Sequence, residues 1–390
     1  MKSALLTVSF VCATLATPIH VLEHAQAPVN YRTYSGFDLD LNTPRLLQFE
    51  NREPVWMTEL DKIRAKANGV NFFDVTESQD KSFTQSRRLK KKYTYPSLNA
   101  TDIVYPVIKT LAIKNLEDNL KKFTSFRTRY YRSETGKQSQ QWLKNKISEI
   151  TAEYASDELR SAITINEFSH PWGQNSIIAR VEGSSKEYKD IVIISAHQDS
   201  TNMWPFLPAP GADDDGSGTV SILEAYRALI AADYRPLRPI EFHWYSAEEG
   251  GLLGSQAVAK DYDRRSVEVI AMSQFDMTAW VKHGTREEVG VITDFVNPNL
   301  TEFNKKLIDT YLDIPWAETK CGYACSDHAS WNRYGYPAIF TIESKFENSN
   351  PHIHSKDDRI DVSDEFKFSH MVEFSKLAVG FAVELGSYRT

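Results

Sequence analysis

Ile191-Val192-Ile193-Ile194-Ser195-Ala196-His197-Gln198-Asp199-Ser200 is the stretch that decides how this chain folds. An unbroken run of β-branched residues marks a strand buried on both faces, as occurs in parallel sheets covered by helices. The run stops at a histidine and an aspartate, and ligands of open α/β sheets gather at the carboxyl ends of strands. Downstream lies Pro210-Gly211-Ala212-Asp213-Asp214-Asp215-Gly216-Ser217-Gly218. Three adjacent carboxylates repel one another, and the flanking glycines permit a sharp backbone approach. Alone, this is a solvated acidic turn. It becomes a cation site if other ligands converge on it.

Outward from these stretches the chain alternates. Upstream, Asp102 to Phe123 and Lys137 to Tyr154 have helical apolar spacing. Ala162 to Phe168 and Ser176 to Val181 read as strands of a hairpin through Pro171-Trp172-Gly173. Downstream, a helix runs from Ser217 to Leu229, with Asp215 or Ser217 near its N-cap. Strands follow at Pro239 to Tyr245, Val267 to Phe275, Val289 to Thr293 and Pro337 to Ile342. Helices fall at Leu252 to Lys260, Leu300 to Leu312, Asp327 to Tyr334 and Ser363 to Leu385. This grammar predicts an α/β fold: a single globular catalytic domain over 93–390, with a central, largely parallel mixed sheet flanked by helices. From Thr17 to Lys92 the alternation is weak. Pro44-Arg45-Leu46-Leu47 and Trp56 to Leu60 could start short helices, and Val70 to Val75 a strand.

At 390 residues and 41% hydrophobic, the chain can bury a large core, and its net charge of -7 with both signs interspersed lacks the basic face of a nucleic-acid binder. Residues 1–16 read as a secretory signal, with Lys2, an apolar run from Ala4 to Leu15 and small residues at Ala13 to Ala16. That run is too short to span a membrane, and no longer apolar stretch follows. Secretion, with no membrane partner, is the expectation. Arg87-Arg88-Leu89-Lys90-Lys91-Lys92 then reads as a processing site, which makes 17–92 a propeptide. Once Cys12 leaves with the signal, Cys321 and Cys325 remain as a close pair, expected to close a small disulfide loop. Asn99 and Asn299 begin glycosylation sequons.

Potential ligands recur at the strand ends: His197 and Asp199, the Asp213–Asp215 turn, Glu248-Glu249 and Asp276, joined by Asn350-Pro351-His352-Ile353-His354-Ser355 in a long loop. A mixture of imidazole and carboxylate suits zinc, and the set exceeds what one ion needs. Two metals sharing a bridging carboxylate is the economical reading.

His197-Gln198-Asp199-Ser200, Gly211 to Gly218, Ala247-Glu248-Glu249-Gly250, Gln274-Phe275-Asp276-Met277 and Ile353-His354-Ser355, with Cys321 to Ser330, resemble the co-catalytic di-zinc leucine aminopeptidases of bacteria and fungi. The resemblance covers Tyr93 to Gly386, and with the leader the whole chain looks like the secreted fungal form. It implies two Zn2+ per chain, bridged by Asp214, with His197 and Asp276 completing one site and Glu249 and His354 the other. Glu248 would be the general base, and Asp199 would fix the ring of His197. His352 competes with His354 as ligand, and motif alignment favours His354. The peptide after the bridging acid would be cis. The pocket for the N-terminal side chain would comprise Met277, Ile292, Cys321, Tyr323, Cys325, Phe340, Ile342, Phe346 and Ile353. Its apolar character suits Leu-like and aromatic residues. The resemblance also implies a zymogen acting, as a monomer, on peptides with a free N-terminus.

Three other readings remain open. A carboxypeptidase would need a cation for the substrate carboxylate, and a glutaminyl cyclase would use one zinc. A non-catalytic ectodomain would have lost ligands. All five ligand positions and the base are filled here.

Overall fold

The computed structural model describes residues 35–49, 52–78 and 93–389. The expected signal, Cys12 and the basic run at 87–92 lie outside them.

Eleven strands are present among the described residues, in two sheets. The larger has the order β10-β9-β11-β8-β6-β7-β5-β4. Its centre is β11 (Ala338–Ile342), β8 (Val269–Phe275), β6 (Ile191–His197) and β7 (Ile240–Tyr245), all mutually parallel. The hairpin β4 (Ile163–Phe168) and β5 (Ser176–Val181) joins antiparallel to β7. At the other edge β9 (Val289–Ile292) runs antiparallel to β11 and parallel to β10 (Trp316–Thr319).

Every residue of β6 is buried, for the reason its sequence suggests. Val192 and Ile194 pack among helices Gly218–Ala231, Phe368–Gly386 and Glu134–Tyr154, whereas Ile191 and Ile193 pack with Val258, Tyr262 and Trp331 on the opposite face. Two-sided burial of such side chains is worth about 1.5–3 kcal/mol each.

The alternation read from the sequence is present, with differences at the helix Asp157–Ser161, which was not anticipated, at Trp56 to Thr58, which lie in a strand, and at three further places. The single helix expected over Asp102 to Phe123 is two, Thr101–Ile108 and Ile113–Phe123. The break arises because Glu224, on the helix packed beneath, accepts the backbone N–H of Ala112 at 2.9 Å and starts a new helix there. Pro44 begins strand β1 (Pro44–Phe49) rather than a helix, because β2 (Val55–Thr58) and β3 (Phe72–Asp74) pair with both its edges. Short apolar runs cannot make that distinction by periodicity. Strand β10 was not anticipated, since only two of its four residues are buried.

Between β2 and β3 runs helix Glu59–Ala67, closed by a capping box in which Thr58 and Asp61 exchange hydrogen bonds. This small sheet and its helix pack on the main domain. Phe73 and Val75 share a buried cluster with Leu252 and Ala329. No described helix is long and apolar enough to cross a membrane.

Candidate metal centre

The carboxyl ends of the central strands meet at one point. His197 is the last residue of β6, Glu248 and Glu249 follow β7, and Asp276 follows β8. The backbone turns abruptly as it leaves β7 and β8, where Ala247 and Met277 have φ of 58° and 59°, and again at His354 in its loop, with φ of 55°. Such left-handed positions cluster where a site dictates the path.

Asp214 lies at the centre. Its Oδ1 is 3.1 Å from His197 Nε2 and its Oδ2 is 3.0 Å from His354 Nε2. His197 Nε2 also faces Asp276 Oδ1 at 3.5 Å, and His354 Nε2 faces Glu249 Oε2 at 3.1 Å. One aspartate thus offers an oxygen to each of two imidazole–carboxylate pairs. Asp215 also lies within reach of His197 and Asp276. Its oxygens are already engaged, however, accepting N–H groups from His197 (3.0 Å), Gly218 (2.8 Å) and Met277 (3.2 Å). The Asp214–Asp215 peptide is cis. Asp215 is therefore the pin of the turn and Asp214 its working face.

The donor set suits a cation. Glu248, Glu249, Asp214, Asp276 and Asp199 are none of them more than 8% exposed. Neither ring nitrogen of the fully buried His197 has a hydrogen-bond partner of good geometry, nor has Asp276 Oδ1 or Glu249 Oε1. Buried polar atoms without partners are costly unless something else satisfies them. Burial alone would lower the His197 pKa, but Asp276 and Glu248 outweigh it and hold the imidazole well above its usual value. His354 is likewise raised to about 9, where Glu249 and Asp214 overcome burial. Burial pushes the Glu248 carboxyl well up, with His197 opposing and Glu249 reinforcing. The two raised imidazoles express one fact: carboxylates crowd both histidines.

The surrounding residues fix this arrangement. Asp199 lies 3.5 Å from His197 Nδ1, and its two oxygens accept the backbone N–H groups of Glu248 (3.0 Å) and Glu249 (3.2 Å). It fixes the backbone of Glu248 and Glu249 beside the imidazole of His197. Ser326 Oγ donates to Asp276 Oδ2 at 2.6 Å. Asp358 accepts the N–H groups of Asp213 (3.0 Å) and Asp214 (3.1 Å), tying the His354 loop to the acidic turn. The buried Arg129 donates to Gln198 O at 2.9 Å, to Gly211 O at 2.8 Å and to Pro210 O. Burial lowers its pKa to about 10, still cationic at neutral pH. At Gly211 the φ is +55°, and a Cβ would lie 2.4 Å from Ser200 Cβ, so only glycine fits beside the guanidinium. Neither Asp358 nor Arg129 stands out in sequence, because each acts through backbone groups brought near by folding.

A cavity of about 170 Å³ opens beside the centre, lined by Met277, Tyr323, Cys325, Phe340, Ile342, Phe346 and Ile353 and by the candidate ligands Asp214, Glu249, Asp276 and His354, with Glu248. Ile292 is fully buried one layer back, packed on Met277, Phe340 and Ile342. Cys321 and Cys325 form a disulfide, and Asp294 accepts the N–H of Gly322 at 2.8 Å to hold that loop. His352 turns away, its ring centroid 5.6 Å from that of Trp280. Asn99 and Asn299 are exposed, and Asn299 Nδ2 donates to Tyr93 O at 2.9 Å. One further neighbour is not legible in the sequence. Lys66, from helix Glu59–Ala67, contacts Glu249 Oε2 and donates to Glu249 O at 3.0 Å. Burial would lower its pKa, but Glu249, Glu248 and Asp214 raise it.

Two imidazole–carboxylate pairs sharing one aspartate, at the strand ends of a parallel sheet, have the donor chemistry of a two-cation hydrolytic centre. Residues 176–378 match the model of peptidase family M28. Leucine aminopeptidase 1 of Emericella nidulans is 47% identical over 351 residues, spanning 87% of this chain and 88% of that one. Leucine aminopeptidase 1 of Coccidioides posadasii is 44% identical over 397 residues, spanning 99% of each. The crystal structure of the Legionella pneumophila LapA aminopeptidase superposes with a TM-score of 0.77 at 32% identity, covering 89% of this chain and 95% of that one. The chain belongs to peptidase family M28, and it is a hydrolase, an aminopeptidase.

Proposed function

We propose that this is an extracellular leucine aminopeptidase that works with two zinc ions and is made as an inactive precursor. The placement of Asp214 carries the reading, with one oxygen toward each histidine at 3.1 and 3.0 Å. His197, Asp276 and Asp214 would hold one ion, and Glu249, His354 and Asp214 the other. Bound there, zinc would supply Lewis acidity toward the scissile carbonyl and make the attacking water more acidic.

The chain's own groups do the rest. Glu248 takes the proton of the attacking water and returns it to the departing amine, and its burial-raised affinity for protons suits that double task. Asp199 holds the Glu248 backbone so that the carboxylate stays over the reacting bond. The acidic floor favours a substrate end bearing an amine, which is why a free N-terminus is needed. Met277, Phe340, Ile342 and Phe346 give that residue's side chain an apolar seat, favouring leucine and similar residues. The names of the fungal relatives support the same preference.

The test uses processed protein. Zinc is counted per chain, and hydrolysis of a leucyl anilide is compared with that of its N-acetylated counterpart, with and without a chelator. Two zincs, cleavage of the free amine only and loss on chelation are expected. Equal cleavage of the blocked anilide would refute the amine requirement, and one zinc would refute the two-metal centre.

A further inference from the structure

Lys66 touches the centre at a particular place. Its ammonium contacts Glu249 Oε2, the same oxygen that lies 3.1 Å from His354 Nε2, and also donates to Glu249 O at 3.0 Å. The ammonium is therefore a cation placed on a carboxylate of one trio. Among the described residues, no lysine or arginine pairs with Asp276 or His197 of the other.

The contact is not that of a loose surface side chain. One turn earlier on the same helix, Lys62 is buried between Asp74 (3.1 Å) and Glu59 (3.2 Å) and donates to Tyr131 Oη and Gly250 O, both at 3.2 Å. Asp74 N–H donates to Gly251 O at 3.2 Å, and a Cβ on Gly251 would lie 2.7 Å from Asp74 N. Residues 249, 250 and 251 are thus each gripped by the segment 59–74. Residues i and i+4 share one helix face, so anchoring Lys62 sets where Lys66 falls.

We propose that Lys66 keeps the Glu249–His354–Asp214 site from holding its metal firmly, so that the uncut chain carries one tightly bound zinc and gains the second when the segment leaves. This rests on the two-metal reading above. A carboxylate oxygen saturated by an ammonium is a poorer ligand, and a divalent ion beside it meets a like charge at contact distance in a buried pocket. Among the described residues, the trio around His197 and Asp276 has no such competitor.

The experiment is equilibrium dialysis of the full chain against buffered zinc, with bound metal counted by mass spectrometry. It compares the uncut chain, the uncut Lys66→Met and Lys66→Arg variants, and wild-type chain cut in the basic run and freed of the released segment. The uncut wild type and Lys66→Arg should bind one zinc tightly and a second at least about tenfold more weakly. Lys66→Met and the processed chain should bind both tightly. Tight binding of two zincs by the uncut wild type would overturn the proposal and leave the two-metal reading intact. A processed chain with only one zinc would overturn both. If Lys66→Met lowers KM alone, with zinc binding unchanged, the lysine stands where the substrate amine would, and the proposal fails.

Discussion

Asp199→Asn tests the arrangement with the smallest possible change in shape. The carboxylate accepts Glu248 N–H at 3.0 Å on one oxygen and Glu249 N–H at 3.2 Å on the other, with His197 Nδ1 3.5 Å away. An asparagine has one acceptor, so its NH2 must face one of those N–H groups or flip away from it. A charge-assisted hydrogen bond is lost, worth about 1.5–3 kcal/mol, and a buried donor is left unpaired at about 1–3 kcal/mol. These overlap, so a combined loss of about 2–4 kcal/mol is expected, part in stability and part in positioning. Groups that hold metal ligands typically change metal affinity or turnover about 10–100-fold, which matches. The assay is kcat and KM on a leucyl anilide, with zinc affinity and thermal unfolding measured on the same preparations. kcat should fall about 10–100-fold with little change in KM, and the melting temperature should drop by about 2–6 °C. A variant that melts earlier but turns over normally would refute the reasoning, because Asp199 would then be a structural residue only.

Glu248→Gln should keep both zincs and the fold while losing about 10²–10⁴-fold in kcat, and near-normal turnover would remove it as the base. Asp214→Ala should lose zinc itself, and a variant that still counts two per chain would end the bridging assignment. Glu241 offers a pH test outside the candidate metal centre. Burial would raise its pKa, but His243, Tyr262 and Arg180 outweigh burial and hold it at about 2. Its stabilisation is complete above the unfolded carboxylate value of about 4.5 and fades as pH falls toward 2, about 3 kcal/mol in all. Glu241→Gln should flatten the stability–pH curve over that interval; an unchanged slope would place the acid sensitivity elsewhere.

Sequence alone carried much of this molecule, and the reason is local. The run Ile191–Ile194 is apolar at every position because β6 is buried on both faces, so the central sheet is written in consecutive residues. The candidate ligands sit just beyond strand ends, so each motif holds both the strand and the residue that leaves it. His197, Asp276 and the Glu248-Glu249 pair were legible as candidates for that reason, whereas the choice of Glu249 within the pair came from the resemblance. His354 needed a resemblance, because a loop has no period, and folding separates it from His352 by turning the latter's ring against Trp280.

What the sequence did not carry depends on contacts between distant segments. The split of the helix at Ala112 is made by Glu224, 112 residues away. Which of three adjacent aspartates faces the centre is settled by the backbone N–H groups of His197, Gly218 and Met277, which occupy Asp215, and by Asp358, which fixes the N–H groups of Asp213 and Asp214. Lys66 reaches Glu249 across 183 residues of chain. Periodicity and spacing report what a residue does within its own element. A hydrogen bond or charge pair between elements exists only once hydrophobic burial has brought them together, and only the tertiary structure records which pairs those are.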